Sequence, residues 1–183
     1  LTPQSDFKVY NMTIIGAGAT STNISGGANA AIALRPWAGP KIYNSIFTDF
    51  NERGILLDTQ NGNTATQSVT SAYAQFHNTL WWDFVTGSGN QNIDNTAANL
   101  GRNTVATNYW TDLSLKNDIA NPMLMSISRT NVGALLDPRP QAGSPALTNF
   151  TAPPEDGFLS PVSYTGAFGP NDLWVAGWTA LAE

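Results

Sequence analysis

The apolar and polar positions of this chain repeat. Val9-Tyr10-Asn11-Met12-Thr13-Ile14-Ile15, Ile42-Tyr43-Asn44-Ser45-Ile46-Phe47-Thr48 and Phe76-His77-Asn78-Thr79-Leu80-Trp81-Trp82 keep one order of residue types, with asparagines 33 and then 34 residues apart. A period in that range marks repeat proteins, whose units bury their apolar faces by stacking on their neighbours. Read at strand period two, one parity stacks Val9 on Ile42 on Phe76, Asn11 on Asn44 on Asn78, and Thr13 on Ile46 on Leu80. That parity is expected to face inward. The other stacks Tyr10 on Tyr43 on His77 and Ile14 on Phe47 on Trp81, an aromatic file that faces outward or lies beneath a covering segment. The asparagines have two structural readings. Their amides can join into a ladder, each accepting from the next, or each can occupy a left-handed bend at the strand edge.

Around these copies, residues 30–35 read as a further strand stopped at Pro36, and Gly54-Ile55-Leu56-Leu57-Asp58 as another, with a near twin in Gly133-Ala134-Leu135-Leu136-Asp137. Nothing shows a long helical period. The pattern breaks after the third copy, where about residues 86–121 read as an insertion projecting from the stack and carrying Tyr109 and Trp110. Residues 122–129 resume strand character, and residues 137–147 are too rich in proline to continue a ladder. The tail spaces Phe158, Tyr164, Phe168, Trp174 and Trp178 through Pro and Gly turns, which predicts a cover over the stack. The expected fold is therefore all-β, a right-handed parallel β-helix of about three to five coils. Its coils would span residues 1–147 and its aromatic C-terminal cover residues 148–183.

Composition narrows the function more than it names it. At 183 residues the chain is long enough for one domain, and only 11% of it is charged. Eight basic residues against 13 acidic ones give a net charge of −5 without a run of either sign, which argues against nucleic acid. There are no cysteines, so disulfides and thiolate metal sites are excluded. No stretch approaches the ~20 apolar residues of a membrane span. A surface of Asn, Thr, Ser and Gly suits an extracellular β-rich protein.

At the level of motifs, Ala31-Ile32-Ala33-Leu34-Arg35, Lys41-Ile42-Tyr43-Asn44-Ser45-Ile46, Gly54-Ile55-Leu56-Leu57-Asp58, Ser144-Pro145-Ala146-Leu147 and Tyr164-Thr165-Gly166-Ala167-Phe168-Gly169 carry a resemblance. With Ala176-Gly177-Trp178-Thr179, they make the chain similar to the C-terminal part of large secreted β-helix proteins common in Bacteroidetes and related bacteria. The resemblance implies the β-helix fold and a bacterial, extracellular or cell-surface location. It carries no catalytic residues. In that family further coils precede this point, so the edge beside the first copy is expected to meet either more of a longer protein or another polypeptide.

Candidate chemistry is sparse. Asp49 and Asp83 fall at equivalent places in consecutive copies, with Glu52 nearby, and are the best carboxylates for glycoside hydrolysis. Their structural alternative is a polar strand end or turn cap. His77, the single histidine, falls in the tyrosine column, where stacking accounts for it. Trp37, Trp81, Trp82, Tyr109 and Trp110 offer flat faces for sugar rings, or else pack beneath other segments. No cofactor or metal is expected. The reading is a non-catalytic structural or adhesive module, assembling with copies of itself as a filament or fibre or with a larger partner. A carbohydrate-binding or polysaccharide-degrading module is the alternative.

Overall fold

The computed structural model describes residues 5–18, 21, 30–51, 53–57, 59–60, 63–64, 73–84, 113–127, 136–177 and 179. Glu52, Tyr109 and Trp110, and with them most of the expected insertion, lie outside the described residues. What is described is all-β: β1 (Lys8–Tyr10), β2 (Thr13–Ile15), β3 (Ala30–Leu34), β4 (Lys41–Tyr43), β5 (Ile46–Phe50), β6 (Arg53–Leu57), β7 (Thr59–Gln60), β8 (Asn63–Thr64), β9 (Gln75–His77), β10 (Leu80–Phe84), β11 (Leu124–Ile127) and β12 (Leu136–Pro140). Two short 3-10 turns, Leu113–Leu115 and Pro145–Leu147, are the helical pieces among the described residues.

The described strands form five small sheets. Two are three-stranded and parallel, in the orders β1-β4-β9 and β2-β5-β10, and β3-β6 is a parallel pair. The pairs β7-β8 and β11-β12 are antiparallel. In the first sheet Val9 pairs with Ile42 and Ile42 with Phe76; in the second Thr13 pairs with Ile46 and Leu80 with Ile46. Like residues thus lie on like residues, as the repeat required.

The right-handed parallel β-helix of three to five coils is nevertheless corrected. No sheet exceeds three strands among the described residues, and the sheets are small and separate. Two features keep them so. Each repeat is cut by an asparagine in the left-handed region, Asn11 (φ 56), Asn44 (φ 48) and Asn78 (φ 53), so an expected long strand becomes two short ones on either side of a corner. Beyond β10 the described residues add only an isolated parallel bridge, Asp118 beside Leu80, before β11 runs antiparallel to β12 with a bulge between Leu124 and Ser126. The proline-rich stretch expected to end the ladder includes β12 itself, where Pro138 and Pro140 are tolerated on a strand that has no second neighbour among the described residues.

The corners also overturn the expected alternation. Ile42 and Phe76 share one core with Phe47, Trp81 and Phe84, whereas Ile46 and Leu80 belong to a second cluster with Ala146. A left-handed residue reverses which parity points inward, so the Phe47 and Trp81 file is main core and not an outer face. Asp49 (φ 65) and Asp83 (φ 55) repeat the device inside β5 and β10, returning Phe50 and Phe84 to the core side. The aromatic files stack at close range: Phe47 on Trp81 at 4.3 Å and Phe50 on Phe84 at 5.8 Å between ring centroids.

Candidate functional site

The asparagine file is a clamp for the tail. Asn11 Nδ2 donates to the carbonyls of Tyr164 (2.7 Å) and Gly166 (3.2 Å). Asn44 is fully buried; its Nδ2 donates to the Thr151 carbonyl at 2.8 Å and its Oδ1 accepts from the Thr151 N–H at 2.9 Å. Asn78 Nδ2 donates to Asn149 Oδ1 at 3.0 Å. The amide ladder survives only as one stretched rung, Asn44 Nδ2 to Asn11 Oδ1 at 3.4 Å. Of the two readings the left-handed bend is the one the backbone adopts. Backbone bonds complete the clamp, with Gly166 N–H donating to the Asn44 carbonyl and Thr165 N–H to that of Ala146. Phe168 is buried and stacks on Trp174, but Phe158 is 89% exposed and covers nothing.

The two ends of the parallel sheets differ. Beside β9 and β10, Asn78 N–H donates to the Leu115 carbonyl, Trp81 N–H to that of Asp118, and Asp118 N–H to that of Thr79. Asn117 closes the same edge with its side chain, Nδ2 donating to the Phe76 carbonyl at 2.7 Å and Oδ1 accepting from the Thr79 N–H at 3.2 Å. Beside β1 and β2 no further strand lies among the described residues. Phe7 and Asn11 bond toward β4, through Lys41 N–H to the Phe7 carbonyl and Asn11 N–H to the Tyr43 carbonyl. Alternation along a parallel ladder then turns the N–H and C=O groups of Lys8 and Tyr10 to the open side. Likewise Ile46 N–H bonds Met12 and Gly16 N–H bonds Thr48, which turns Thr13 and Ile15 outward. An apolar cavity of about 260 Å³ opens here, lined by Phe7, Val9, Met12, Ile32, Leu34 and Ile42 among others.

The same edge presents an aromatic face. Tyr10 stacks on Tyr43 at 4.5 Å and Tyr43 on His77 at 5.0 Å, so the lone histidine continues the tyrosine column. Burial, then the neighbouring Tyr43 and Asp156, holds the Tyr10 hydroxyl above the usual tyrosine range. The ammonium of Lys41 bonds Asp6 and holds that carboxyl below its ordinary value.

A second cavity, also about 260 Å³, lies between the ends of β5 and β10 and residues 121–127, and its lining includes Asp49, Trp82, Asp83, Asn121 and Ser126. Here the structure brings three sequence candidates together. Thr48 pairs with Trp82 and Phe50 with Phe84, so Asp49 and Asp83 occupy the same rung position of adjacent strands. Asp49 Oδ2 accepts from Thr48 Oγ1 at 2.6 Å. Trp82 is half-buried and Asp83 exposed. Trp81, its neighbour in sequence, is no sugar platform: it is fully buried, with its Nε1 donating to Thr79 Oγ1 at 2.7 Å. Trp37 leans on Tyr73 at 5.9 Å, away from both carboxylates' cavity lining.

Sequence reasoning missed Thr151, Tyr164, Asn117 and Asn149 as partners of the repeat. Most of these bonds use backbone carbonyls, which leave no mark on residue type; Asn117, an asparagine just before the chain regains strand character, was the one available signal. Among the described residues no group of three or more His, Cys, Asp or Glu side chains is placed to hold a metal ion. No helix of the described residues is long and apolar enough to cross a membrane. No family model matches the chain, and no curated protein or solved structure matches it.

Proposed function

We propose that this protein is a non-catalytic structural or adhesive module, acting outside the cell and associating with a second copy of itself by strand addition at the β1 and β2 edge. The observation that carries this reading is the pair of outer strands. β1 and β2 are the outermost strands of two parallel sheets, with no further strand beside them among the described residues, next to an apolar cavity. An open edge of this kind is a template for another strand. The half-buried Tyr10 stack offers a partner ring a flat surface at the same place.

The other edge favours a closed pair over a filament. Head-to-tail growth joins unlike edges, and the edge of β9 and β10 already bonds Leu115, Asn117 and Asp118. Contact between like edges closes after two copies. Light scattering after size exclusion tests the proposal. The wild type is expected as a concentration-dependent dimer. A Lys8→Pro/Ile15→Pro variant, which removes two outward N–H groups while sparing the ladders to β4 and β5, is expected as a monomer with an unchanged circular dichroism spectrum. A wild type that stays monomeric at high micromolar concentration, or a proline variant that still dimerises, overturns it.

A further inference from the structure

We infer that Phe158 anchors the pairing of two copies, its ring seating in the apolar cavity beside β1 and β2 of the second copy. This rests on the edge contact proposed above and names what makes that contact specific. The path of the tail brings Phe158 to the edge. Asn149 bonds Asn78 of the third repeat and Thr151 bonds Asn44 of the second, so two residues carry the tail across one repeat. At that pace the buried Pro153 reaches the first repeat, and the chain is back there at Tyr164, whose carbonyl accepts from Asn11. Residues 154–163 lie between, as a mostly exposed loop with no further repeat to rest on. The Asp156 carboxyl is held below its ordinary value by the N–H groups of Phe158 and Leu159 first and by the Lys8 ammonium last, and Tyr10 feels its charge in turn. Lys8 and Tyr10 both belong to β1, so the loop stands beside the outermost strand.

The loop holds its aromatic ring outward in a fixed place. Asp156 Oδ1 accepts from the N–H of Phe158 at 2.9 Å and from that of Leu159 at 3.2 Å, a local turn that Gly157 completes at φ 77. Pro153, Pro154 and Pro161 restrict the backbone on both sides of it. Phe158 is 89% exposed all the same. Single apolar side chains are ordinary on a surface, but one set in a turn of this kind loses little further freedom when it is gripped.

The cavity at the same edge matches that ring. It measures about 260 Å³ and is lined by Phe7, Val9, Met12 and Ile32 among others. An apolar cavity of about 150 Å³ is enough for benzene, so a phenylalanine side chain fits. Knob and hole thus lie at one end of one molecule. Pairing of like edges about a two-fold axis turns each loop toward the other copy's cavity, so the two insertions are equivalent and the contact closes. Charge agrees with the arrangement. Glu155 and Asp156 flank the tip, and the exposed Lys8 stands between Phe7 and Val9 of the lining.

Sedimentation equilibrium and ultraviolet cross-linking of the intact chain test the assignment. Phe158→Ser is expected to raise the dimer dissociation constant roughly thirtyfold or more, and Phe158→Leu to raise it much less. Because the side chain is exposed, neither change should alter the circular dichroism spectrum. With p-benzoylphenylalanine at position 158, mixed with isotope-labelled wild type, cross-links are expected to reach residues 7–12 or 32–42 of the labelled copy. A Phe158→Ser dimer as tight as the wild type, or cross-links that stay within one chain or reach other segments, overturns the inference. The two readings fail separately. Should Lys8→Pro/Ile15→Pro abolish the dimer while Phe158→Ser leaves it intact, only the anchor falls. Should Phe158→Ser weaken a dimer that the proline variant still forms, with the expected cross-links, only strand addition falls. A wild type that stays monomeric removes both.

Discussion

Replacing Asn44 tests the clamp most directly. The side chain is fully buried and makes two good bonds to one residue, through Nδ2 to the Thr151 carbonyl at 2.8 Å and through Oδ1 from the Thr151 N–H at 2.9 Å. Each is worth about 0.5–1.5 kcal/mol net, so the pair contributes about 2 kcal/mol. The backbone adds a second cost, because φ is 48 and an alanine loses roughly 1 kcal/mol in the left-handed region. Asn44→Ala is therefore expected to destabilise by about 3 kcal/mol, a large share of a stability of about 5–15 kcal/mol. At this chain length that lowers Tm by about 6–12 °C. Asn44→Gly loses the same bonds without the backbone strain and should retain about 1 kcal/mol more than alanine. Urea unfolding followed by tryptophan fluorescence measures all of this. Alanine and glycine of equal stability would refute the left-handed term. A loss under about 0.5 kcal/mol for both would refute the clamp, since no buried pair of bonds is that cheap to remove.

Gly166→Ala is expected to lower Tm by more than any surface substitution, because φ is +96 and a Cβ would lie 2.7 Å from Ile46 Cδ1 and 2.8 Å from Thr13 Oγ1; a melt indistinguishable from wild type would show that the tail does not seat there. Asp137 accepts from Arg139 Nε at 2.9 Å and from Nη2 at 2.6 Å, and that bonding holds its carboxyl below the ordinary 3.8. Its contribution to stability is thus present above the ordinary value and lost as pH falls from there through the lowered native value. Acid titration of stability should show a shallower slope in that window for Asp137→Asn, and an unchanged slope would remove the pair from the acid response.

Register was legible in the sequence because a parallel ladder puts like side chains one strand apart, and Val9, Ile42 and Phe76 announce that by recurring beside Tyr10, Tyr43 and His77. The facing of side chains was not. Counting by twos assumes an extended backbone throughout, and a left-handed Asn44 or Asp49 resets the count without changing the hydrophobic pattern. Trp81 and Trp82 therefore looked alike, although one is core and the other reaches a cavity. Stacking in three copies also suggested a coil that goes on repeating. Whether a ladder continues depends on what pairs next, and the antiparallel β11-β12 pair, with prolines in one strand, has no repeat signature at all. The tail's position was hidden for a further reason: it is held largely through main-chain carbonyls of Thr151, Tyr164 and Gly166.

The bend at Asp49 and Asp83 links the core to the candidate site. Phe47 and Phe50 both pack with the main core only because the residue order between them is broken by one left-handed position. A residue at such a bend leaves the core-facing parity, and Asp83 is indeed exposed while Phe84 beside it is buried. Aspartate suits the position because a short polar side chain tolerates left-handed backbone better than most. The bend itself does not require a carboxylate, so the residue type at this position has some freedom. The first repeat shows the limit of that freedom. Ile15 pairs with Thr48, so Gly16 stands where Asp49 does, and there a Cβ would lie 2.5 Å from the Asp49 carbonyl oxygen. No side chain fits, and the carboxylate row cannot extend onto β2. The core thus confines the site to β5 and β10, while the open edge lies at β1 and β2, on the other side of that glycine.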